Sequence, residues 1–557
     1  MSDYYKTFKH RAPRPSCQLS FNVPFCVLLN CHEGLHMLRS QPVFNCAAWL
    51  QVFHRLMRPL TTQTALATYL CIVPLHASSD LRSSAWADGL SLSEFVGFIQ
   101  DNNAALQVAR NGTQIARETI TEEQGIFQPI LSMSTRAQRS LQPLSVDDQT
   151  LGRTPDPYPS TNQSIEYGLS QLLTSGGTIK GITRLTREKT GDLDDYQLRG
   201  YVGVSFDQPL AQGFGEDIVT SDIRLAELGS SIADETLTDT QNSIIAQAIT
   251  IYLDALRTQL FLENLDARLN VLAALQQESQ ALIEQGRMSA STQLEIDTAI
   301  RQIEALRLNS QQELARFKGN MLSFAGSRLA GVGDFDLDVD AMPKNQLKAC
   351  ELSKCIEYAM ANRADLRAQQ LRVDQAAISQ LKAEDQQRGQ MDLVVEVGFS
   401  EQASQARDAF DISELESHPD ALIGLEIRTP LWGDKAADAA VRRARMERIN
   451  AELEVQDLKI GIENELSAQR LAVQQTAETS LQWQQMVDTY TEQLAIADSS
   501  LREGRGDVMA VLRAREAALN AKASLDDARI AHAQAWVRLM ASQGRADELQ
   551  SADVLGH

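Results

Sequence analysis

Two long stretches of this 557-residue chain repeat each other at a constant offset of 218. Gln285-Gly286-Arg287, followed by Leu294, Ala299 and Leu322, is answered by Glu503-Gly504-Arg505, Leu512, Ala517 and Met540. Upstream, VSFDQPLAQG (Val204 to Gly213) answers LEIRTPLWGD (Leu425 to Asp434), which pairs Pro209-Leu210 with Pro430-Leu431. Asn102 to Ala109 answers Asn362 to Gln369. Repetition on this scale means two copies of one supersecondary unit and a fold with internal pseudo-symmetry. Each unit reads helix, alternating strand, loop, alternating strand, Pro-Leu turn, very long helix, glycine tip, long helix.

The helices carry the strongest pattern. No proline falls between Pro209 and Pro343, between Pro343 and Pro419, or after Pro430. Apolar residues recur at helical spacing through Ile245, Ala248, Tyr252, Ala255, Leu262, Leu265, Leu269, Leu272 and Leu282. The spacing predicts helices over 213–285 and 434–503, of ~110 Å and a similar length at 1.5 Å per residue. Gly286 and Gly504 end them, since glycine readily takes the positive φ of a helix terminus. Returning helices follow over 289–325 and 507–543. Steps of three and four with abundant Ala and Gln fit antiparallel coiled-coil packing. A shorter helix covers 92–126.

Strands are expected over about 129–137, 197–208, 391–400 and 421–430. Leu198, Val202, Val204 and Phe206 alternate with Arg199, Tyr201, Ser205 and Asp207; Leu393, Val395, Val397 and Phe399 alternate with Asp392, Glu396 and Ser400. Ile423, Leu425 and Ile427 alternate with Glu426 and Arg428. Runs of about ten residues suit tilted membrane-spanning strands, and equally an amphipathic strand of a soluble sandwich. Residues 140–190, with TPDPYPSTN and Gly176-Gly177, read as one long loop.

Composition narrows the function. Net charge is −21, and the first 77 residues hold seven Lys/Arg against two Asp/Glu, so the remainder is more acidic still. Nucleic acid is not an expected partner, because phosphate binding needs clustered cations. Met57-Arg58-Pro59, an apolar run of about a dozen residues and Leu75-His76-Ala77 form a secretory signal pattern. The residues before Met57 are either an over-extended start or a genuine extension. After residue 78 no window holds 18 uninterrupted apolar residues, which argues against a helical inner-membrane protein. The expected division is a signal-peptide region 1–77, a first unit 78–330, an acidic linker 331–345, a second unit 346–545 and a tail 546–557. Cys350 and Cys355 admit two readings. On one helix they are too far apart to bridge without strain; at a helix start they could form a disulfide.

No phosphate-binding glycine loop, C-x-x-C or H-E-x-x-H occurs, and after Ala77 only His418, His532 and His557 remain. No catalytic residue, metal or cofactor is expected, and the chain does not read as an enzyme. Four strands with open edges cannot stand alone in lipid, where each unpaired backbone group costs several kcal/mol. Copies must associate until the sheet closes. Arg199, Asp207, Glu396, Glu426 and Arg428 would then face a water-filled lumen. Trp432 would sit in an interfacial aromatic belt.

The doubled unit, its Pro-Leu exits and the tips QGRMSASTQLEIDTAI and EGRGDVMAVLRAREAAL resemble the TolC-type outer membrane efflux family over about residues 90–545. The resemblance implies an α+β membrane protein, with four strands per chain in a trimeric twelve-stranded β-barrel continued by a helical periplasmic tunnel. It also implies the outer membrane of a Gram-negative bacterium, a periplasmic adaptor (membrane fusion) protein, and an inner-membrane pump or ABC exporter. Its function would be passive export in a tripartite efflux or type I secretion system; a soluble periplasmic coiled-coil scaffold is the alternative. The adaptor would dock at the tips, Gly286, Arg287, Gly504 and Arg505. Asp507 and Arg513 are the candidate gate, and Pro209, Leu210, Pro430 and Leu431 the barrel-to-helix turns.

Overall fold

The computed structural model describes residues 89–142, 158–190, 196–285, 289–326, 335–338, 348–403, 405–406, 408–410, 418–503, 505 and 508–550. The signal-peptide region, Gly286, Arg287, Gly504 and Asp507 lie outside the described residues.

The first helices among the described residues are α1 (Leu92–Asn102) and α2 (Ala104–Gln124). Ser91 opens α1 with a capping box, its hydroxyl accepting from Glu94 N while Glu94 accepts from Ser91 N. The single helix expected over 92–126 is broken at Asn103. There the backbone is extended (φ −65, ψ 126), and the side chain accepts from Ala105 N and Leu106 N to cap α2. Its amide also donates to Phe324 O at 2.7 Å, so a tertiary contact holds the break. The corresponding break between α5 (Leu352–Asn362) and α6 (Ala364–Gln386) falls at Arg363, with φ −67 and ψ 122. Arg363 bridges Asp365, Glu465 and the carbonyl of Ser542. Burial works against its charge, but the hydrogen bonds to Asp365 and Glu465 outweigh it and raise its pKa.

The long helices are α3 (Ser221–Glu284) and α7 (Lys435–Arg502), of 64 and 68 residues. At 1.5 Å per residue they are ~96 and ~102 Å long. Each is followed by a helix of 35 residues, α4 (Ala290–Phe324) or α8 (Val508–Ser542), whose first residues stand at the offset of 218 found in the sequence. Helix α3 packs on α2, α4, α6 and α8, and α7 on α6 and α8. The main core lies at mid-length of the bundle. Ile245, Ile249, Tyr252 and Leu256 of α3 meet Phe95 and Ile99 of α1, Leu366, Ile462, Leu466 and the end of α8. Phe335 and Leu337, inside the stretch read as an acidic linker, are buried in that core. Gln259 holds Leu337 through both backbone groups, at 3.1 and 3.0 Å.

The sheet departs from expectation. Among the described residues it has six strands, β1 (Ile130–Gln142), β2 (Tyr158–Leu172), β3 (Thr178–Thr190), β4 (Gln197–Pro209), β5 (Gln390–Ala403) and β6 (Pro419–Arg428). They pair in sequence order, every neighbour antiparallel. Residues 158–190, read as part of a loop, are therefore a hairpin inserted between β1 and β4. Gly176-Gly177 does interrupt the chain, but as the turn joining β2 to β3: Gly176 N donates to Leu173 O and Leu173 N to Gly177 O. Cys350 precedes α5 rather than lying on it, and it forms a disulfide with Cys355, with Cα atoms 6.0 Å apart. The bridge at a helix start is thus the reading the structure takes.

Candidate functional site: strand faces, exit turns and helix tips

The register sorts the strand side chains into two faces, because successive residues of a strand point to opposite sides. Arg199, Asp207, Glu396, Glu426 and Arg428, the five residues expected to share a lumen, do lie on one face. The other face is mainly apolar and largely uncovered, apart from Gly200, over which Ala409 lies, with Glu401 beside it, and the buried Gln208. Its rows run from Met391 and Ile427 through Leu393 and Leu425, then Ile179, Phe206, Val395 and Ile423. Leu131, Leu169, Val204 and Val397 form the next row, followed by Met133, Tyr167, Val202 and Phe399, and last by Ile165 and Leu185. Leu131, Val204, Val397 and Ile423 are 75, 50, 52 and 78% exposed. Six rows span ten residue steps, ~34 Å along a strand and ~24 Å along its normal component at ~45° tilt. That matches the ~25 Å apolar band of a membrane barrel. Exposed apolar surface this extensive does not suit a strand sandwich in water.

The inserted hairpin adds polar residues that sequence reading missed. Glu166 of β2 takes Lys180 at 3.1 Å and Arg184 at 2.7 Å, both from β3 and both on the polar face. Arg184 lies over the Tyr201 ring, 5.7 Å from its centroid. Tyr201 donates to Glu396 at 2.5 Å, so one network joins β2, β3, β4 and β5. The Tyr201 ring covers Gly203 and Gly398. A Cβ at either would fall 2.4 or 2.5 Å from the phenol oxygen, which is why both positions carry glycine. Alternating Ile165, Tyr167 and Leu169, with a Gly-Gly pair ahead of Ile179, was the available signal for this hairpin. At the helix end of the polar face, Asp207, Asp392 and Glu426 line a cleft of about 660 Å³.

The two exits differ. Pro209 closes β4 and Leu210 N donates to Met391 O at 2.7 Å. Gly213 (φ +80) and Gly215 (φ +99) then turn the chain, so α3 starts later than the 213 expected. The β2–β3 turn sits against this exit: Gly215 N donates to Ser175 O, and Ser175 and Gln208 exchange two hydrogen bonds. A Cβ at Gly176 would lie 2.2 Å from Gly213 O, and Gly176 has φ +90, so both space and backbone demand glycine there. Gly213 N also donates to the buried Asp385 at 2.8 Å. Strand β6 ends at Arg428, two residues short of Pro430. Leu431 and Trp432 follow, 84 and 89% exposed, and Asp434 caps α7 through Ala436 N and Ala437 N.

At the far end, Arg505 is exposed and pairs with Glu503. Arg513 lines a cavity of about 60 Å³ between α3 and α8, with Arg268, Leu272, Leu275, Met509 and Leu512. A brace the sequence did not reveal crosses the two units here. Arg268 donates to Glu516 at 3.0 Å, Asn264 to Leu519 O at 2.7 Å, and Arg257 pairs with Asp527 at 2.8 Å. Among the described residues no cluster suited to a metal occurs, and no helix is long and apolar enough to cross a membrane.

Long paired helices issuing from a two-faced antiparallel sheet define the fold of outer-membrane channels. Solved structures share it across most of the chain. The outer membrane protein VceC of Vibrio cholerae superposes at a TM-score of 0.57, with 16% identity, over 81% of this chain and 96% of that one. The CmeC outer membrane channel of Campylobacter jejuni gives 0.57 at 12% identity, over 82 and 86%. Among curated proteins, the proteases secretion protein PrtF of Dickeya chrysanthemi is 22% identical over 317 residues, 57% of this chain and 67% of its own length. No family model matches the chain.

Proposed function

We propose that this protein is the outer-membrane duct of an export system. Three copies enclose a barrel and, beyond it, a helical tunnel through the periplasm. The observation that carries the reading is the sheet with one exposed apolar face and one charged face, continuous with helices ~100 Å long. Such a sheet has a place in lipid around water and none in a soluble scaffold. The tips, Gly286-Arg287 and Gly504-Arg505, dock a periplasmic adaptor that joins the duct to an inner-membrane pump or ABC exporter. Asp507 pairs with a neighbouring arginine to hold the resting tip closed. Likeness to a protease-secretion protein favours polypeptide cargo over small molecules. The duct itself performs no chemistry.

The test is cell fractionation followed by planar-bilayer recording. The protein should require detergent for release from the outer membrane, and the purified oligomer should conduct ions. Recovery in the soluble periplasmic fraction would end the duct reading in favour of the scaffold.

A further inference from the structure

We infer that the Tyr158–Thr190 hairpin is part of the barrel wall, and that three copies close into eighteen strands rather than twelve. This rests on the trimeric duct proposed above. The pore is incomplete in one chain, since β1 and β6 each leave an edge without a partner strand among the described residues.

Three observations place the hairpin in the wall. It is paired along most of its length on both sides, thirteen residue pairs with β1 and eleven with β4. Its two faces continue those of the other strands, with Ile165, Tyr167, Leu169 and Ile179 on the apolar side and Glu166, Lys180 and Arg184 on the polar side. Its turn docks on the β4 exit beside the helices, and Gln142, Tyr158, Thr190 and Gln197, the opposite ends of β1, β2, β3 and β4, lie together at the other end of the sheet. Short turns at one rim and longer loops at the other are the pattern of membrane barrels. A hairpin folded outside the wall would leave its charged face in lipid.

The occupant of the open edges is a second copy of this chain. Strand order alternates direction through six strands, so β1 and β6 run antiparallel. The β6 edge of one copy can therefore pair with the β1 edge of the next, head to tail, and an even number per chain preserves the alternation around a closed ring. Inserting two strands leaves this parity unchanged, whereas one or three would not. Barrel diameter grows roughly linearly with strand number, so eighteen strands give about 1.5 times the diameter of twelve. The wall would then admit bulkier cargo than a twelve-stranded one.

Cysteine pairs in the assembled protein decide the matter, because Met133, Tyr167 and Val202 lie in one row. Met133→Cys with Tyr167→Cys should cross-link within a chain, those residues being direct partners. Met133→Cys with Val202→Cys should not, since three strand spacings separate them by ~14 Å, twice the ~7 Å Cα limit for a disulfide. Amine cross-linking of the unsubstituted oligomer should stop at three chains. Three chains with a Met133–Val202 bridge would overturn the eighteen-stranded wall and leave the trimeric duct standing. A ladder ending at two chains would overturn both.

Discussion

Val204 sits in the fourth of the six apolar rows, beside Val397 and Gly181, with half its surface exposed. Val204→Arg puts a guanidinium near the middle of the hydrocarbon, where the cost is ~2–4 kcal/mol per chain. At ~1.4 kcal/mol per factor of ten, that is a shift of about 30- to 700-fold in each chain's insertion equilibrium. The matched control is Glu426→Arg on the opposite face. It loses an exposed pair with Arg428, worth ~0.2–1 kcal/mol, and places its new charge in water. Heat-resistant oligomer extracted from the outer membrane, measured by electrophoresis without boiling, should fall steeply for Val204→Arg and stay near the parent level for Glu426→Arg. Equal yields from the two variants would refute the assignment of the apolar face to lipid.

Replacing Gly286 and Gly504 together by Phe should abolish export while oligomer yield is unchanged; normal export would remove the tips from adaptor docking. Asp507→Ala should raise the resting conductance in planar bilayers, and an unaltered trace would exclude Asp507 from the gate. Glu516→Ala strands the mostly buried Arg268, a loss of ~1–3 kcal/mol, so the thermal midpoint should drop and a Glu516→Ala/Arg268→Leu pair should recover part of it. Asp526 is half-buried, and desolvation raises its pKa against the pull of Lys522 and Arg529. The folded state therefore holds its proton more tightly than the unfolded chain. Its protonation contributes stability fully present below the unfolded carboxylate value and lost as pH rises through the raised one. Asp526→Asn should flatten that acidic limb and gain most at neutral pH; a parallel shift at all pH values would contradict it.

What the sequence determined by itself was everything set by local spacing. The four long helices lie within a few residues of their expected bounds, apart from the later start of α3 behind Gly213 and Gly215. Helical periodicity and proline-free length are written in neighbours three and four apart, so no distant contact is needed to read them. The five charged strand residues could likewise be assigned to one face from alternation alone. The tertiary structure decided what depends on partners far along the chain. Strand β2 is mostly Ser, Gln, Asn and Thr before Ile165, a composition that reads as loop until β1 and β3 pair with it. Helix α2 starts at Ala104 because Asn103 reaches Phe324, 221 positions away. Phe335 and Leu337 leave an acidic stretch for the core because Gln259 meets both polar groups of Leu337. In each case the backbone's hydrogen-bonding needs are met from another part of the chain, and only the assembled fold brings those groups together.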